Sequence, residues 1–463
     1  MLAAACLWGC TSVQPPSLPA TTPAAWANAR AALASDVPAP DLSTWWKAFG
    51  DRQLDALVEQ ALAQNLTLAQ ATARLRQARM MAGRSHAQYL PELTASSRTL
   101  QDVSATDSYF HASLDASWEL GLFGARESAD LAGKAGVDAA VSAEQAARVT
   151  VIAEVVRNYV DLRTAQQQLA VLDRIRTADD NELQLIETRR RFQVGAPDER
   201  ELAMARRAQS LAQAAQLRQN AAQTRQAVAV LLGQTNPDPT LDAPAAPLAL
   251  PSFRFAQLPA DMVRSRPEIR TAEAEVARAA AELGMARADL YPRISLGASY
   301  LYAYNLTQNR RSTVDRLPVI GPSIDIPLFD WGRRRTTVDV KQDMLDTSLI
   351  AYRQAVVQGI GEAESALIAL AGQEERVALV GNVVDALAQR EAILRKRTAL
   401  KLATEFDAAA SARAVLQAEL ERSAAEAARA QAFVALYKSL GGAPMPAGND
   451  QLVGQRSPGE AAR

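Results

Sequence analysis

The chain has 463 residues, of which 22% are charged and 5% aromatic, and alanine supplies much of the apolar share. This composition has too few large apolar residues for several compact globular cores. It is typical of long helices that pack closely through alanine. Fifty basic residues against fifty-one acidic ones give a formal net charge of -1, so no global field favours nucleic acid or acidic lipid. The only cysteines are Cys6 and Cys10, which excludes a disulfide framework or a cysteine metal cluster in the body of the chain.

The first residues form an apolar stretch in which Gly9 precedes Cys10, and a proline-rich polar segment follows. This pattern resembles the end of a bacterial lipoprotein signal, which implies that residues 1–9 are a signal remnant and that Cys10 carries the lipid. Residues 10–52 are then expected to be a lipid-anchored tether and a periplasmic packing segment. Beyond them no stretch reaches the roughly 18 consecutive apolar residues of a membrane-spanning helix, so any membrane crossing is predicted to use strands.

The chain contains an internal repeat. Residues 89–91 (Tyr-Leu-Pro) return as residues 290–292 (Leu-Tyr-Pro), an offset of 201 (292 − 91), and residues 120–124 return as 326–330, an offset of 206. Two further correspondences link residues 191–195 with 397–401 and residues 231–233 with 439–441. The same order of elements is therefore predicted twice, over residues 53–250 and 251–442, with residues 443–463 as a disordered tail.

In the first half the spacing of apolar residues predicts a helix over residues 53–87, a very long one over 137–194 and a third over 198–232. Residues 137–194 contain neither Gly nor Pro and carry apolar residues at three-four-three spacing. These four residues are Val149, Ile152, Val156 and Tyr159. The long helix is predicted to bury that face.

The second half predicts helices over residues 256–289, 333–400 and 404–440. Two helices of about 35 residues placed end to end are as long as the single helix beside them, roughly 100 Å at 1.5 Å per residue. The sequence therefore favours a rod of close-packed helices. A dimeric coiled coil is the alternative, although the heptads are weak.

Residues 110–120 alternate strictly between apolar and polar side chains, and eleven such residues suit a tilted strand of a membrane β-barrel. Its predicted partner is residues 93–101. The second half offers residues 294–304 and 320–328, although Pro318, Pro322 and Pro327 disfavour a regular ladder.

A half-buried sheet of a soluble protein alternates equally well. However, two hairpins between such long helices have no soluble core to cover, whereas three chains of four strands would close a barrel of twelve.

Several motifs together carry a resemblance to one family. They are the segment from Leu7 to Cys10, Trp45-Trp46-Lys47-Ala48-Phe49-Gly50-Asp51, Ser117-Trp118-Glu119-Leu120 with Phe123-Gly124, Ser265-Arg266-Pro267-Glu268-Ile269, and Pro327-Leu328-Phe329-Asp330-Trp331-Gly332-Arg333. The chain resembles the TolC-like outer membrane factor family, in its lipoprotein branch of efflux channels.

The resemblance implies a mostly α fold with a small β part: a homotrimer whose α-helical barrel continues into a shared 12-stranded outer-membrane β-barrel. It implies a lipid-anchored protein of the bacterial outer membrane that extends into the periplasm. Its partners are then a periplasmic adaptor, an inner-membrane pump and outer-membrane lipid.

The tunnel is expected to close at two helix-helix tips, around residues 194–198 and 401–404. In the resembled family acidic residues near the second tip help to gate the pore, but Ala410 occupies the matching position and Lys401 replaces the tip glycine. The gate candidates are Lys401, Glu405, Asp407, Arg413 and Arg397. The residues expected to contact the adaptor are Gly195, Pro197, Asp198 and Thr404. Alternatively, Glu405 and Asp407 are solvated charges at a helix start.

The sequence thus predicts the outer-membrane channel of a tripartite efflux system, which passively conducts small molecules delivered by the pump. The alternatives are a periplasmic coiled-coil scaffold without a pore and an adaptor subunit, the latter disfavoured because helix is the bulk of the chain. No phosphate-binding glycine loop, metalloprotease motif or nucleophile elbow is present, so no cofactor, metal, nucleic acid or catalytic residue is assigned.

Overall fold

The computed structural model describes residues 16–18, 41–101, 108–196, 198–243, 248, 250, 253, 266–306 and 314–443. Cys10, Pro197, residues 1–9, the predicted helix start at 256–265 and the tail from 444 lie outside this part. Two compact units are present, and each draws on both halves of the sequence. Among the described residues, unit 1 contains those within 72–143 and 268–356, and unit 2 contains those within 41–71, 144–267 and 357–443. The units therefore do not coincide with the two predicted repeats.

The described helices occur in the same order in both halves. They are α1 (Arg52–Gln64), α2 (Leu66–Ala87), α3 (Ala125–Arg191), α4 (Glu199–Leu231), α5 (Pro267–Ala288), α6 (Arg333–Ala399) and α7 (Glu405–Ser439). The long helices α3 and α6 have 67 residues each, about 100 Å at 1.5 Å per residue. Among the described residues, no helix combines the length and hydropathy needed to cross a membrane.

The prediction of one helix over residues 53–87 is wrong, because the chain breaks at Asn65. That residue has an extended backbone with ψ 125°. Its side-chain oxygen accepts a hydrogen bond from Leu68 N at 3.0 Å, and its Nδ2 donates to Leu231 O at 2.8 Å. Asn65 thus caps α2 and fixes it to the end of α4, which offsets the lost helical hydrogen bonds.

The predicted start of the long helix at residue 137 is also wrong, because α3 begins at Ala125 and runs through Gly133 and Gly136. A Cβ at Gly133 would lie 3.2 Å from Ala82 Cα. The glycine therefore allows α2 and α3 to approach closely, and the helix accepts its lower propensity there. Further along α3, the three-four-three face is buried as predicted, with Ile152, Val156 and Tyr159 fully inaccessible.

The strands are β1 (Glu92–Gln101), β2 (Ser108–Glu119), β3 (Arg293–Asn305) and β4 (Val314–Asp325). They form one antiparallel sheet in the order β1-β2-β3-β4. The two predicted hairpins are therefore joined within one chain, through the pairing of β2 with β3.

The predicted bounds of the fourth strand, 320–328, are wrong at both ends. The strand starts at Val314 and stops at Asp325, two residues before Pro327. Pro318 and Pro322 lie inside it, opposite Tyr300 and Leu296 of β3. They are tolerated because β4 is an outer strand of the sheet, so a missing N–H need not break a bond to β3.

In unit 2, aromatic residues from distant parts of the chain form a buried cluster. Trp45, in the short 3-10 helix Trp45–Phe49, stacks on Tyr437 with ring centres 5.4 Å apart and meets Phe433 edge-on at 6.0 Å. Its indole N–H donates to Gly442 O at 3.1 Å. A Cβ at Gly442 would lie 3.0 Å from Trp45 Cδ1, so a glycine leaves room for this close contact. The tryptophan motif noted in the sequence therefore has a packing role.

The Ser-Arg-Pro-Glu motif also has a structural role within unit 2. The Arg266 guanidinium is buried, donates to Gly359 O at 2.8 Å and forms an ion pair with Glu362. A charged group in such a place is stable only when it is paired and hydrogen-bonded. The motif therefore fixes the chain just before α5 to α6.

Candidate functional site

The sheet of unit 1 has two chemically different faces, as the alternation predicted. On one face Ser113 Oγ lies 2.9 Å from Ser96 Oγ and donates to Asp115 Oδ2 at 2.6 Å. Ser299 Oγ donates to Asp115 Oδ1 at 2.5 Å. A hydrogen-bonded polar network therefore crosses β1, β2 and β3.

The opposite face is apolar and accessible in the single chain. Directly paired residues share a face, and the register places Leu114 opposite Tyr300, which is opposite Pro318. The large exposed apolar side chains on this face are Leu93, Leu114, Trp118, Leu296, Tyr300, Tyr304, Ile320 and Ile324. The other face is polar along β1, β2 and β3 but also carries exposed Leu317 and Val319 of β4. A contrast between a polar and an apolar face fits a water-to-lipid boundary.

The helices of unit 2 meet in two tips, which we define as the first tip, residues 192–198, and the second tip, residues 400–404. Helix α3 ends with Gln193 at φ 58°, and α6 ends with Lys401 at φ 61°. The residue after each of them donates a backbone hydrogen bond to the last turn of the helix. Val194 N donates to Arg189 O, and Leu402 N donates to Arg397 O. Both ends are therefore the same left-handed C-terminal cap.

This cap changes the correspondence between the tips. Lys401 matches Gln193 at an offset of 208 (401 − 193), whereas the sequence alignment placed it opposite Gly195. The next helices start at the N-caps Asp198 and Thr404, which are 206 residues apart. The offset falls from 208 to 206 because the first tip is two residues longer than the second. In the structure Lys401 therefore corresponds to Gln193 of the first half and not to Gly195.

Both tips expose apolar side chains at matching positions. Phe192 is 76% exposed and its counterpart Leu400 is 70% exposed. Val194 and Leu402, one step beyond the caps, are exposed as well. The tips thus offer paired apolar projections.

The start of α7 has a reciprocal cap. Asp407 N donates to Thr404 Oγ1 at 3.1 Å, and Thr404 N donates to Asp407 Oδ2 at 3.1 Å. The hydrogen bonds from Thr404 lower the pKa of Asp407 below its usual range, and the positive charge of Arg397 adds to that effect. Glu405 lies in the same first turn. Asp407 therefore acts as a helix cap in this chain, whatever further role it has.

Arg413 lies away from this cap and forms a buried ion pair with Asp179 of α3. Ser210 Oγ of α4 donates to Asp179 Oδ2 at 3.0 Å. The pair and the serine hold α3, α4 and α7 together. Of the two arginines among the gate candidates, Arg413 is already neutralised within its own chain, and Arg397 remains as a partner for Glu405 and Asp407.

Sequence reasoning did not identify several residues near the tips. The Arg189 guanidinium lies 4.8 Å from the ring centre of Phe406, and its Nη1 lies 3.4 Å from Glu199 Oε1. These contacts connect the first tip to the start of α7, so the two tips are coupled. Neither Arg189 nor Asp179 stands out in a sequence with 22% charged residues, because their partners are distant along the chain.

The remaining predicted adaptor-contact residues are placed as follows. Gly195 has φ 128°, a backbone conformation that favours glycine, and a Cβ there would lie 2.9 Å from Glu199 Oε2. Asp198 is the N-cap of α4 but makes no side-chain cap hydrogen bond. Pro197 lies outside the described residues.

A family model described as outer membrane efflux protein matches this chain twice, over residues 57–234 and 258–442. The two segments together exceed half of the chain. The chain belongs to the outer membrane efflux protein family. The family resemblance and the outer-membrane efflux channel function predicted from the sequence are therefore confirmed, and the family of efflux proteins favours a channel over a scaffold.

Individual members of this family agree over most of the chain. The present chain is 29% identical over 447 residues to Nodulation protein T of Rhizobium leguminosarum bv. trifolii. The matched region covers 93% of this chain and 92% of that protein. It is 29% identical over 458 residues to the Pyoverdine export outer membrane protein OpmQ of Pseudomonas putida, covering 94% and 95%. The solved structure of the outer-membrane channel OprN matches with a TM-score of 0.80 and 29% identity, over 94% of this chain and 100% of that one.

The buried pair in this efflux protein gives a first prediction. Replacing Asp179 by Ala should destabilise the protein by about 3–5 kcal/mol, because Arg413 would be left buried without a counter-charge. Thermal denaturation followed by circular dichroism measures the loss. Replacing both residues by Leu should recover most of it, since no unpaired charge then remains.

The neighbouring Asp180 provides the matched control. It pairs with Arg207 at 2.6 Å, but both side chains are 39% exposed. Asp180→Ala should therefore cost no more than about 1 kcal/mol. Equal losses for the two alanine variants would mean that the Asp179 pair is not buried as described.

Proposed function

We propose that three copies of this chain form one outer-membrane channel, with twelve strands in a shared barrel and the long helices in a periplasmic tunnel. The observation that supports this is the sheet of unit 1. It has a hydrogen-bonded polar face, an exposed apolar face, and outer strands β1 and β4 that each have one neighbour among the described residues. Strands in lipid need partners on both edges, and three copies supply them by closing the sheet.

The tips support the proposed partners. Their paired apolar projections, Phe192 with Leu400 and Val194 with Leu402, stand free in the single chain. A helical hairpin of a periplasmic adaptor could bury them, and the adaptor would connect the channel to an inner-membrane pump. The energy for transport then comes from the pump, and the channel conducts passively whatever small molecule is delivered to it.

Lipid attachment at Cys10 is the third part of the proposal. It rests on Gly9 before the cysteine and the proline-rich segment after it. Several acyl chains on one residue would anchor the protein firmly, at about 0.8 kcal/mol per buried methylene. Mass spectrometry of the mature N-terminus should find Cys10 as the first residue carrying acyl groups, and an unmodified Cys10 within a longer mature chain would refute the anchor.

The barrel can be tested on β2, where adjacent residues face opposite sides. Leu114→Arg should impair trimer assembly by roughly 2–4 kcal/mol if the residue lies near the bilayer midplane. Ser113→Arg is the matched control, because it puts the same charge on the polar face, beside Asp115. The fraction of heat-modifiable trimer in detergent measures both. Equal tolerance of the two substitutions would count against a lipid-facing surface.

The gate can be tested at the second tip. In a trimer, three copies of Lys401, Glu405 and Asp407 would lie near one axis, where closure depends on opposite charges, with Arg397 as the available arginine. Glu405→Gln combined with Asp407→Asn should loosen the closed state and raise single-channel conductance in bilayers. The increase should be larger at low salt, because exposed pairs are screened at high salt.

A control at the first tip separates the charges of the second tip from acidic charge at a helix start in general. Asp198→Asn changes an N-cap charge that makes no side-chain cap hydrogen bond, so conductance should stay the same. If the double variant also leaves conductance unchanged at both salt concentrations, Glu405 and Asp407 are helix-start charges only. The gate would then have to lie at the first tip.

A further inference from the structure

The second tip and the helix ends beside it carry an excess of positive charge. Residues 390–407 contain five basic and three acidic residues, a net charge of +2, and all five basic side chains are exposed. The offsets of 208 and 206 at the two tips make residues 182–201 the matching stretch of the first half. That stretch contains four basic and five acidic residues, a net charge of -1. The two tips therefore share one architecture but differ in the sign of their charge.

Four of the five basic residues at the second tip lack an acidic partner. Arg395 pairs with Glu391 at 2.6 Å. Within the part of the chain that the structure describes, no carboxylate lies at ion-pair distance from the other four, and Arg397 instead donates to Leu402 O at 3.3 Å. We call these four residues the basic patch: Arg390, Lys396, Arg397 and Lys401.

The first half has a different group or a paired group at each of these positions. The counterparts of the basic patch, at the offset of 208 that the shared cap defines, are Glu182, Thr188, Arg189 and Gln193 in the same order. Arg189 is the only cation among these counterparts, and its Nη1 lies 3.4 Å from Glu199 Oε1. The patch is therefore a property of the second tip alone and does not follow from the helix-cap-helix architecture.

The charges of the patch act on the same place. Arg390, Arg397 and Lys401 are separated by seven and four residues, about two turns and one turn of an α-helix, so they lie on one side of the end of α6. The start of α7 lies near them. Hydrogen bonds from Thr404 lower the pKa of Asp407, and the positive charges of Arg397 and Arg390 both add to that effect. The patch and the gate candidates therefore share one electrostatic field.

We propose that the basic patch makes the periplasmic entrance of the channel selective for anions, so that the molecules it conducts best are small organic anions with carboxylate, sulfonate or phosphate groups. This inference rests on the proposed trimeric channel and specifies its cargo. Three copies of the patch around one axis attract anions and repel cations, because a narrow opening between low-dielectric walls focuses the field. Glu405 and Asp407 reduce this field without balancing it, since the net charge of each copy stays at +2.

The sheet contributes charge of the opposite sign. Among the side chains described on its polar face, the acidic residues are Glu92, Asp115, Glu119 and Asp325, and the basic ones are Arg98 and Arg293. A barrel of twelve strands, about 4.8 Å apart and tilted by about 40°, has a backbone radius of about 12 Å. The proposed tunnel narrows at its tips, where an ion passes closest to charged groups. Because Coulomb energies fall with distance, the entrance determines the selectivity.

Selectivity can be measured as the reversal potential of single channels in planar bilayers, with the full-length protein and a tenfold KCl gradient. We expect the parent channel to conduct chloride about threefold or more over potassium when the salt stays at or below about 0.1 M, where the screening length is about 10 Å. The ratio should approach about 1 at 1 M salt, where the screening length is about 3 Å. This salt dependence tests the field without any substitution.

Arg390→Gln combined with Lys401→Gln removes half of the patch. Glutamine suits position 401, because Gln193 adopts the same left-handed conformation in the first tip, with φ 58°. The change lowers the net charge of residues 390–407 from +2 to zero, so the permeability ratio of chloride to potassium should fall to about 1 at low salt. Lys401→Gln alone should give an intermediate ratio. Heat-modifiable trimer in detergent shows that each variant has folded.

Arg190→Gln combined with Arg191→Gln is the matched control at the first tip. It removes the same number of positive charges from exposed side chains outside the basic patch. The chloride preference should stay within about 1.5-fold of the parent value, because these charges lie beyond the patch and are screened. The comparison therefore separates the patch from the total charge of the protein.

The outcomes separate this inference from the proposed channel. A parent protein without single-channel conductance refutes the channel itself. A conducting parent that prefers potassium overturns the anion selectivity while the channel stands. A chloride preference that survives in the second-tip variant, or falls equally in the first-tip variant, overturns the role of the patch, which would then be a surface for an acidic partner. Loss of the preference in the second-tip variant alone supports the inference.

Discussion

The unpaired edges of the sheet constrain the whole molecule. In lipid, each backbone N–H and C=O must find a partner inside the protein, because no water is present to replace it. Four strands in the order β1-β2-β3-β4 satisfy only their three internal ladders. In the proposed trimer the apolar face lies against lipid, and the neighbouring copies pair with the two outer strands.

The two long helices also differ in how they are packed within one chain. Helix α3 has buried residues on one face in unit 2, most of them before residue 176. Asp179, Ser210 and Arg413 link it to α4 and α7. The part of α6 within unit 2 carries exposed Val357, Ile368 and Leu379 at intervals of eleven residues. Eleven residues make about three turns of an α-helix, so these side chains lie on nearly the same face. The two long helices have equal length but unequal surroundings within one chain.

Much of the fold could be predicted from the sequence, because its strongest signals are periodic. The buried face of α3 and the alternation of β2 follow from local spacing, and the repeat of elements follows from recurring Pro and Gly motifs.

The errors arose where a residue distant along the chain determines the local structure. Asn65 interrupts a helical pattern because Leu231 accepts its amide, and Gly133 extends α3 because Ala82 approaches it. Lys401 was aligned with Gly195 because two extra residues in the first tip are invisible to pattern matching. For the tips, residue type suggested candidate charges, but the Asp179 partner of Arg413 lies more than two hundred residues away and has no local signature.

The contact of Trp45 with Tyr437 and Gly442 has a consequence for biogenesis. Its partners are synthesised almost four hundred residues after the tryptophan, so the aromatic core of unit 2 cannot close while the chain is still emerging from a ribosome or a translocase. Contacts of such sequence separation also form late, since the entropy of closing a long loop must be overcome first. The aromatic core of unit 2 therefore forms only after the last helix has been synthesised. A chain released before Phe433 would expose Trp45 and Phe49 together, a surface suited to recognition by quality-control proteases.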